Sequence, residues 1–143
     1  MSVQQTTSDK RTILLAEDDV LIRMPLGEFL RGCGYKVLEV RSADEAILVL
    51  DDGTAPVDLV VSNIVLAGNG FGIARWIRDN QPGLEFHLTG TTKRAVEVAA
   101  SLCADGPLPA PYNAQILQRR IHRLLANRRR PPHQAKRVAS ASK

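Results

Sequence analysis

The chain alternates short apolar runs with longer stretches in which apolar residues return every three or four positions. Thr12–Ala16, Tyr35–Val40, the run from Val57 to Val61, and Leu84–Thr89 are too short for helices and are bounded by turn formers, which predicts buried strands. Between and after them, helical spacing predicts helices over Val20–Arg31, Ala43–Leu50, Phe71–Asp79 and Ala95–Leu102. A last helix after Asn113 carries Ile116, Leu117, Ile121, Leu124 and Leu125 on one stripe. Ser42 with Glu45 reads as a capping box, Asn113 as an N-cap, and Gly32-Cys33-Gly34, Asp51-Asp52-Gly53-Thr54 and Gln81-Pro82-Gly83 as breaks. Pro25 is a local violation, since an interior proline loses a hydrogen bond and crowds the preceding turn; it predicts a late start near Met24 or a kink. Pro107–Pro109 has room for only a very short fifth strand, which its prolines would confine to a sheet edge. Five strand–helix alternations with short connections predict an α/β fold: a doubly wound, five-stranded parallel sheet in the order 2-1-3-4-5, with helices on both faces.

Polar residues collect where these strands end. Ligands of open α/β sheets bind just outside the carboxyl ends of the strands, at the point where strand order reverses. In the expected order that point brings together Glu17-Asp18-Asp19 after the first strand, Ser62-Asn63 after the third and Thr89 after the fourth. Three adjacent carboxylates repel one another unless something positive lies between them. Asp19 alone is accounted for as a helix cap; all three are not. The centre of the site is then an amide, Asn63, which carries no charge and whose nitrogen lone pair is delocalised.

Charge is distributed unevenly along the chain. The 143 residues are 44% hydrophobic and 24% charged, as in an ordinary globular domain. The net charge of +4, however, is the sum of an acidic body and a basic end: residues 1–105 hold 10 Lys+Arg against 15 Asp+Glu, and residues 106–143 hold 9 Lys+Arg and no acid. The expected organisation is a flexible N-terminus over 1–10, one domain over 11–127 and a basic, disordered tail over 128–143. Cys33 and Cys103 lack metal-type spacing and read as reduced packing residues, in keeping with a cytoplasmic setting. No secretory h-region and no membrane-length apolar run is visible, so no membrane role is expected.

In this order and spacing the motifs resemble the receiver domain of two-component response regulators, over about Arg11 to Asn127. Ile13-Leu14-Leu15-Ala16-Glu17-Asp18-Asp19 is similar to the family's first strand and acidic pair. The run Val57 to Asn63 is similar to the strand that normally ends in the phosphorylated aspartate, and Leu88-Thr89-Gly90 to the strand carrying the switch hydroxyl. Pro107 to Tyr112 resembles the segment that normally holds a lysine before a proline. The resemblance implies a flavodoxin-like fold and assigns Asn63 to the phosphoacceptor position, Thr89 to the switch hydroxyl, Ala110 to the lysine position, and Glu17 and Asp18 to a metal pair. The chain departs from the pattern at the chemistry: Asn63 and Ala110 are degenerate, Ala67 replaces a usual proline, and Pro107 falls where an aromatic residue is common.

The implied function is a non-enzymatic signalling module of a phosphorelay, a pseudo-receiver that acts by protein–protein contact without phosphorylation. Its partner would be a sensor histidine kinase or another regulator, met through the fourth helix, fifth strand and fifth helix; a homodimer is left open. No cofactor is required; Mg²⁺ binding at Glu17 and Asp18 would be weak or vestigial, since an amide replaces one carboxylate. Two alternatives stand beside this reading. One is phosphorylation of a different aspartate, Asp18 or Asp19. The other is nucleic-acid binding through the basic last helix and tail, where Arg119, Arg120, Arg123 and Arg128 to Arg130 would neutralise phosphates.

Overall fold

The structure, a computed structural model, describes residues 10–63, 65–66 and 70–128. The expectations for the N-terminal lead-in, for Ala67 and for the tail beyond Arg128 lie outside these residues. The chain forms β1 (Thr12–Ala16), α1 (Val20–Gly32), β2 (Lys36–Val40), α2 (Ala43–Asp52), β3 (Leu59–Asn63), α3 (Gly70–Asn80), β4 (Glu85–Thr89), α4 (Thr92–Ala104) and α5 (Ala114–Arg128).

All strand pairs are parallel, in the order β2-β1-β3-β4. Strand periodicity divides the core. Ile13 and Leu15 of β1, Val37 of β2, and Leu59 and Val61 of β3 face α1, α4 and α5, where Leu26, Phe29, Leu30, Val96, Leu102, Leu117 and Ile121 meet them. Leu14, Ala16, Val40 and Val60 point the other way, against Ala46 and Leu50 of α2 and Ile73 and Ile77 of α3. Both faces of the sheet are thus covered, as apolar strands of a parallel sheet require.

Local sequence signals act as their chemistry predicts. The Ser42 hydroxyl accepts from the Glu45 backbone N–H at 3.1 Å, and Glu45 reaches back to the Arg41 N–H at 2.7 Å. Asn113 Oδ1 accepts from the Ile116 N–H at 3.0 Å and starts α5. Helix α1 begins at Val20, not near Met24: Asp19 caps it, and Pro25 sits inside it with its ring buried. That proline leaves the Leu21 carbonyl without its usual helical donor.

Two expectations are corrected. Among the described residues the sheet has four strands, and Pro107–Pro109 is not a fifth. Pro107, Pro109 and Pro111 alternate, so along one side of an extended segment every ladder donor is missing. Of the N–H groups on the other side, that of Leu108 bonds to the Cys33 carbonyl at 3.0 Å, at the foot of α1. Pro107 packs where a Gly34 side chain would stand (φ +96°), and Pro111 lies against Gly32. The segment is therefore a turn under the domain, and β4 remains an edge.

Secondly, Cys33 and Cys103 are not two reduced packing residues but one buried disulfide, with a Cα–Cα distance of 5.3 Å, within the usual range for such a bond. It ties the end of α1 to the end of α4. Tyr35 reinforces the same joint by donating its hydroxyl to the Leu102 carbonyl.

Loss of the fifth strand changes the direction of the last helix. Thr91 caps α4 just past the end of β4, and α4 descends to the disulfide; the turn follows, and α5 climbs back up. Its ion pairs show the antiparallel run: Arg120 forks onto Glu28 of α1 at 3.0 and 3.3 Å, and Arg128 onto Asp19 at 3.1 and 3.0 Å.

Candidate functional site

The register of the sheet assembles the site. Glu17 leaves β1 beside β2, its N–H bonded to the Val40 carbonyl at 3.0 Å. Ser62 pairs with Ala16 across one strand boundary and Asn63 with Thr89 across the next. Glu17, Asn63 and Thr89 are therefore neighbours at the carboxyl end of the sheet.

Glu17 is the centre of the hydrogen bonding. The residue is 4% exposed, and both carboxyl oxygens are engaged: Oε1 accepts from Asn63 Nδ2 at 2.9 Å and Oε2 from the Asp19 N–H at 3.0 Å. Asn63 Oδ1 accepts in turn from the Val65 N–H at 3.0 Å, which anchors the start of the following loop. The side chain of Asn63 thus uses its donor on one partner and its acceptor on another. A carboxylate here would have only acceptors. Thr89 is buried, and its hydroxyl donates to the Ser62 carbonyl at 3.4 Å.

Burial pushes the Glu17 carboxyl up from 4.5 to about 7; the Asp19 N–H lowers it, the nearby Asp18 carboxyl raises it further and the Asn63 amide lowers it. Because the folded state holds this proton more tightly than the unfolded chain, its contribution to stability is fully present below about pH 4.5. It is lost as pH rises to about 7, by about 3 kcal/mol in all. Denaturant titrations over that window are expected to show this fall, and Glu17→Gln to flatten it; an unchanged slope in the variant would assign the proton elsewhere.

Asp18 is exposed, and Asp19 is half-buried between the first turn of α1 and Arg128. Each oxygen of Glu17 accepts one hydrogen bond, so Asp18 is the exposed carboxylate of the acidic pair. Among the described residues, no cluster of three His, Cys, Asp or Glu side chains is arranged to hold a metal ion.

Ala110 is not brought to this site. It is exposed and lies between Leu108 and Pro111, at the foot of α1. The 13 residues of α1 separate that end from Glu17, about 20 Å at the helical rise. Nothing in the described structure puts a lysine or its replacement opposite Asn63 from this segment. The cation that reaches the acidic end from outside α1 is Arg128, a residue the sequence pattern places at the start of the basic tail. A signal for it exists in the chain: acids nine positions apart on α1, Asp19 and Glu28, match arginines eight apart on α5, Arg128 and Arg120.

No protein-family model matches the chain. Among curated relatives, the sensor kinase CckA of Brucella abortus (strain 2308) is 32% identical over 123 residues, 82% of this chain and 13% of the kinase. A cyclic di-GMP phosphodiesterase of Thermotoga maritima is 26% identical over 124 residues, 82% of this chain and 32% of that protein. The chain therefore spans a minor part of both. Among solved structures, the response regulator receiver protein of Sinorhizobium medicae WSM419 is 26% identical with a TM-score of 0.54, covering 83% of this chain and 97% of that one. The domain is a response-regulator receiver domain. A receiver domain from Clostridium thermocellum has the same fold at 21% identity, with a TM-score of 0.54 and coverage of 83% and 97%. Among the described residues no helix of this receiver is long and apolar enough to cross a membrane.

Proposed function

We propose that this receiver signals by protein–protein contact without being phosphorylated at position 63, in a site that needs no bound metal. The observation that carries the reading is the Asn63–Glu17 hydrogen bond at 2.9 Å. Where a phosphoacceptor would offer a nucleophilic oxygen and a cation would bridge two carboxylates, the receiver puts a neutral donor against the buried acid. Distance supports it too, since the proline-rich segment that resembles the lysine-bearing one stands at the far end of α1. The partner is a sensor histidine kinase or another regulator. The contact surface expected from sequence is revised to α4 and α5 alone, because no fifth strand lies between them.

A second reading rests on the outer face of α5. Arg120 and Arg128 are paired with acids at the surface, and Arg119, His122 and Arg123 stand exposed on the same helix, which has no acidic residue. That face suits an anionic partner, nucleic acid included, and such binding would weaken steeply with salt.

Intact-protein mass after incubation with acetyl phosphate and Mg²⁺ tests the first reading. No phosphoryl adduct is expected on the parent chain. An adduct would contradict the proposal and direct attention to Asp18 or Asp19.

A further inference from the structure

Three adjacent carboxylates at a strand end need a positive neighbour, and the described structure offers one from an unexpected direction. The last helix runs antiparallel to α1 and ends with the Arg128 guanidinium forked onto both oxygens of Asp19, at 3.1 and 3.0 Å. Asp18, Asp19, Val20 and Arg128 line one open pocket beside Glu17. Asp19 cannot turn away from this contact without loss, because its Oδ1 also caps α1 through the Leu21 N–H at 3.0 Å. Arg23, from α1 itself, adds a second cation by donating to the Glu17 carbonyl at 2.9 Å, with its side chain held by Glu39 at 3.2 Å.

We propose that the acidic end of this sheet is a guanidinium site, filled from within the chain by Arg128, and that this internal ligand keeps divalent cations out. A planar fork suits the two oxygens of a carboxylate as a spherical cation with its own water shell does not. A fixed positive charge at Asp19 also opposes a second one at the adjacent Asp18. The direction of α5 is what makes this arrangement possible: had the helix descended from the end of a fifth strand, its last residue would lie at the opposite end of the domain. The proposal rests on Asp19 and Arg128 and not on whether position 63 accepts a phosphoryl group, so the two can fail separately.

The test is Mn²⁺ binding followed by electron paramagnetic resonance on the full chain, comparing the parent with Arg128→Ala, Arg128→Lys and Arg120→Ala. Arg120→Ala removes the other ion pair of the same helix, that with Glu28, and so reports any general loosening of α5. Arg128→Ala is expected to bind Mn²⁺ at least about fivefold more tightly than the parent, as follows from deleting one charge a few ångströms from the pocket. Arg128→Lys should fall between them, keeping the charge and losing the fork, and Arg120→Ala should match the parent. Equal affinity in Arg128→Ala and the parent, no binding by either, or the same gain in Arg120→Ala would each overturn the proposal.

Discussion

Replacing Asn63 by aspartate is expected to destabilise the domain by about 4 kcal/mol at about pH 8 in metal-free buffer. That is the order of the repulsion between unit charges 4 Å apart at an effective dielectric of 20. The substitution exchanges a donor for an acceptor 2.9 Å from a buried carboxyl group, so one hydrogen bond becomes a charge–charge contact. Two conditions should narrow the deficit. Lowering the pH below about 7 protonates Glu17, whose carboxyl is already raised to about 7, and gives the pair a proton to share. Adding Mg²⁺ after combining the substitution with Arg128→Ala, which removes the guanidinium held to exclude divalent cations, supplies a cation that binds the folded variant and not the unfolded chain. Urea unfolding of both proteins at the two pH values measures this; equal stability at about pH 8 would mean that the amide is not what settles Glu17.

The disulfide carries the second large effect. Closing a loop of 70 residues between Cys33 and Cys103 is worth about 4 kcal/mol in the chain-entropy account. Replacing both cysteines by serine, or adding reductant to the parent chain, is expected to lower stability by that order, with the reduced parent and the variant behaving alike. Alkylation of the denatured, unreduced protein should label neither thiol. Labelling of both would restore the reading of two reduced packing residues. The bond holds α1 to α4 just where the chain turns back into α5, so its loss should also loosen the Leu108–Cys33 contact beneath them.

Much of the fold was legible in the sequence because its determinants are local. Strand periodicity at Ile13, Leu14, Val60 and Val61, the Ser42–Glu45 box and the Asn113 cap each act within a few residues and read the same in any context. The coarse site was legible for the same reason: Glu17, Asn63 and Thr89 stand at the ends of strands whose order follows from the alternation. What could not be read depends on distant partners. Helical spacing over Ala114–Arg128 is identical whether the helix climbs or descends, and only its pairing with Asp19 and Glu28 decides. Pro107–Pro109 could have formed an edge strand; what prevents it is the Leu108 N–H finding the Cys33 carbonyl instead. Apolar flanks around Cys33 and Cys103 suit packing and a buried bridge equally, and the choice rests on a Cα distance that no spacing reveals. The placement of Ala110 followed the fate of that missing strand.

The Asn63–Glu17 hydrogen bond is decisive, and its most direct measurement is the nuclear magnetic resonance signal of the Asn63 side-chain amide, assigned by comparison with Asn63→Ala. If Asn63 Nδ2 donates to Glu17, its protons exchange slowly with water, move with a midpoint near pH 7 as Glu17 titrates, and stay in place when Mg²⁺ is added. Fast exchange with no titration, or displacement by Mg²⁺, would contradict it and return position 63 to a site open to a metal ion.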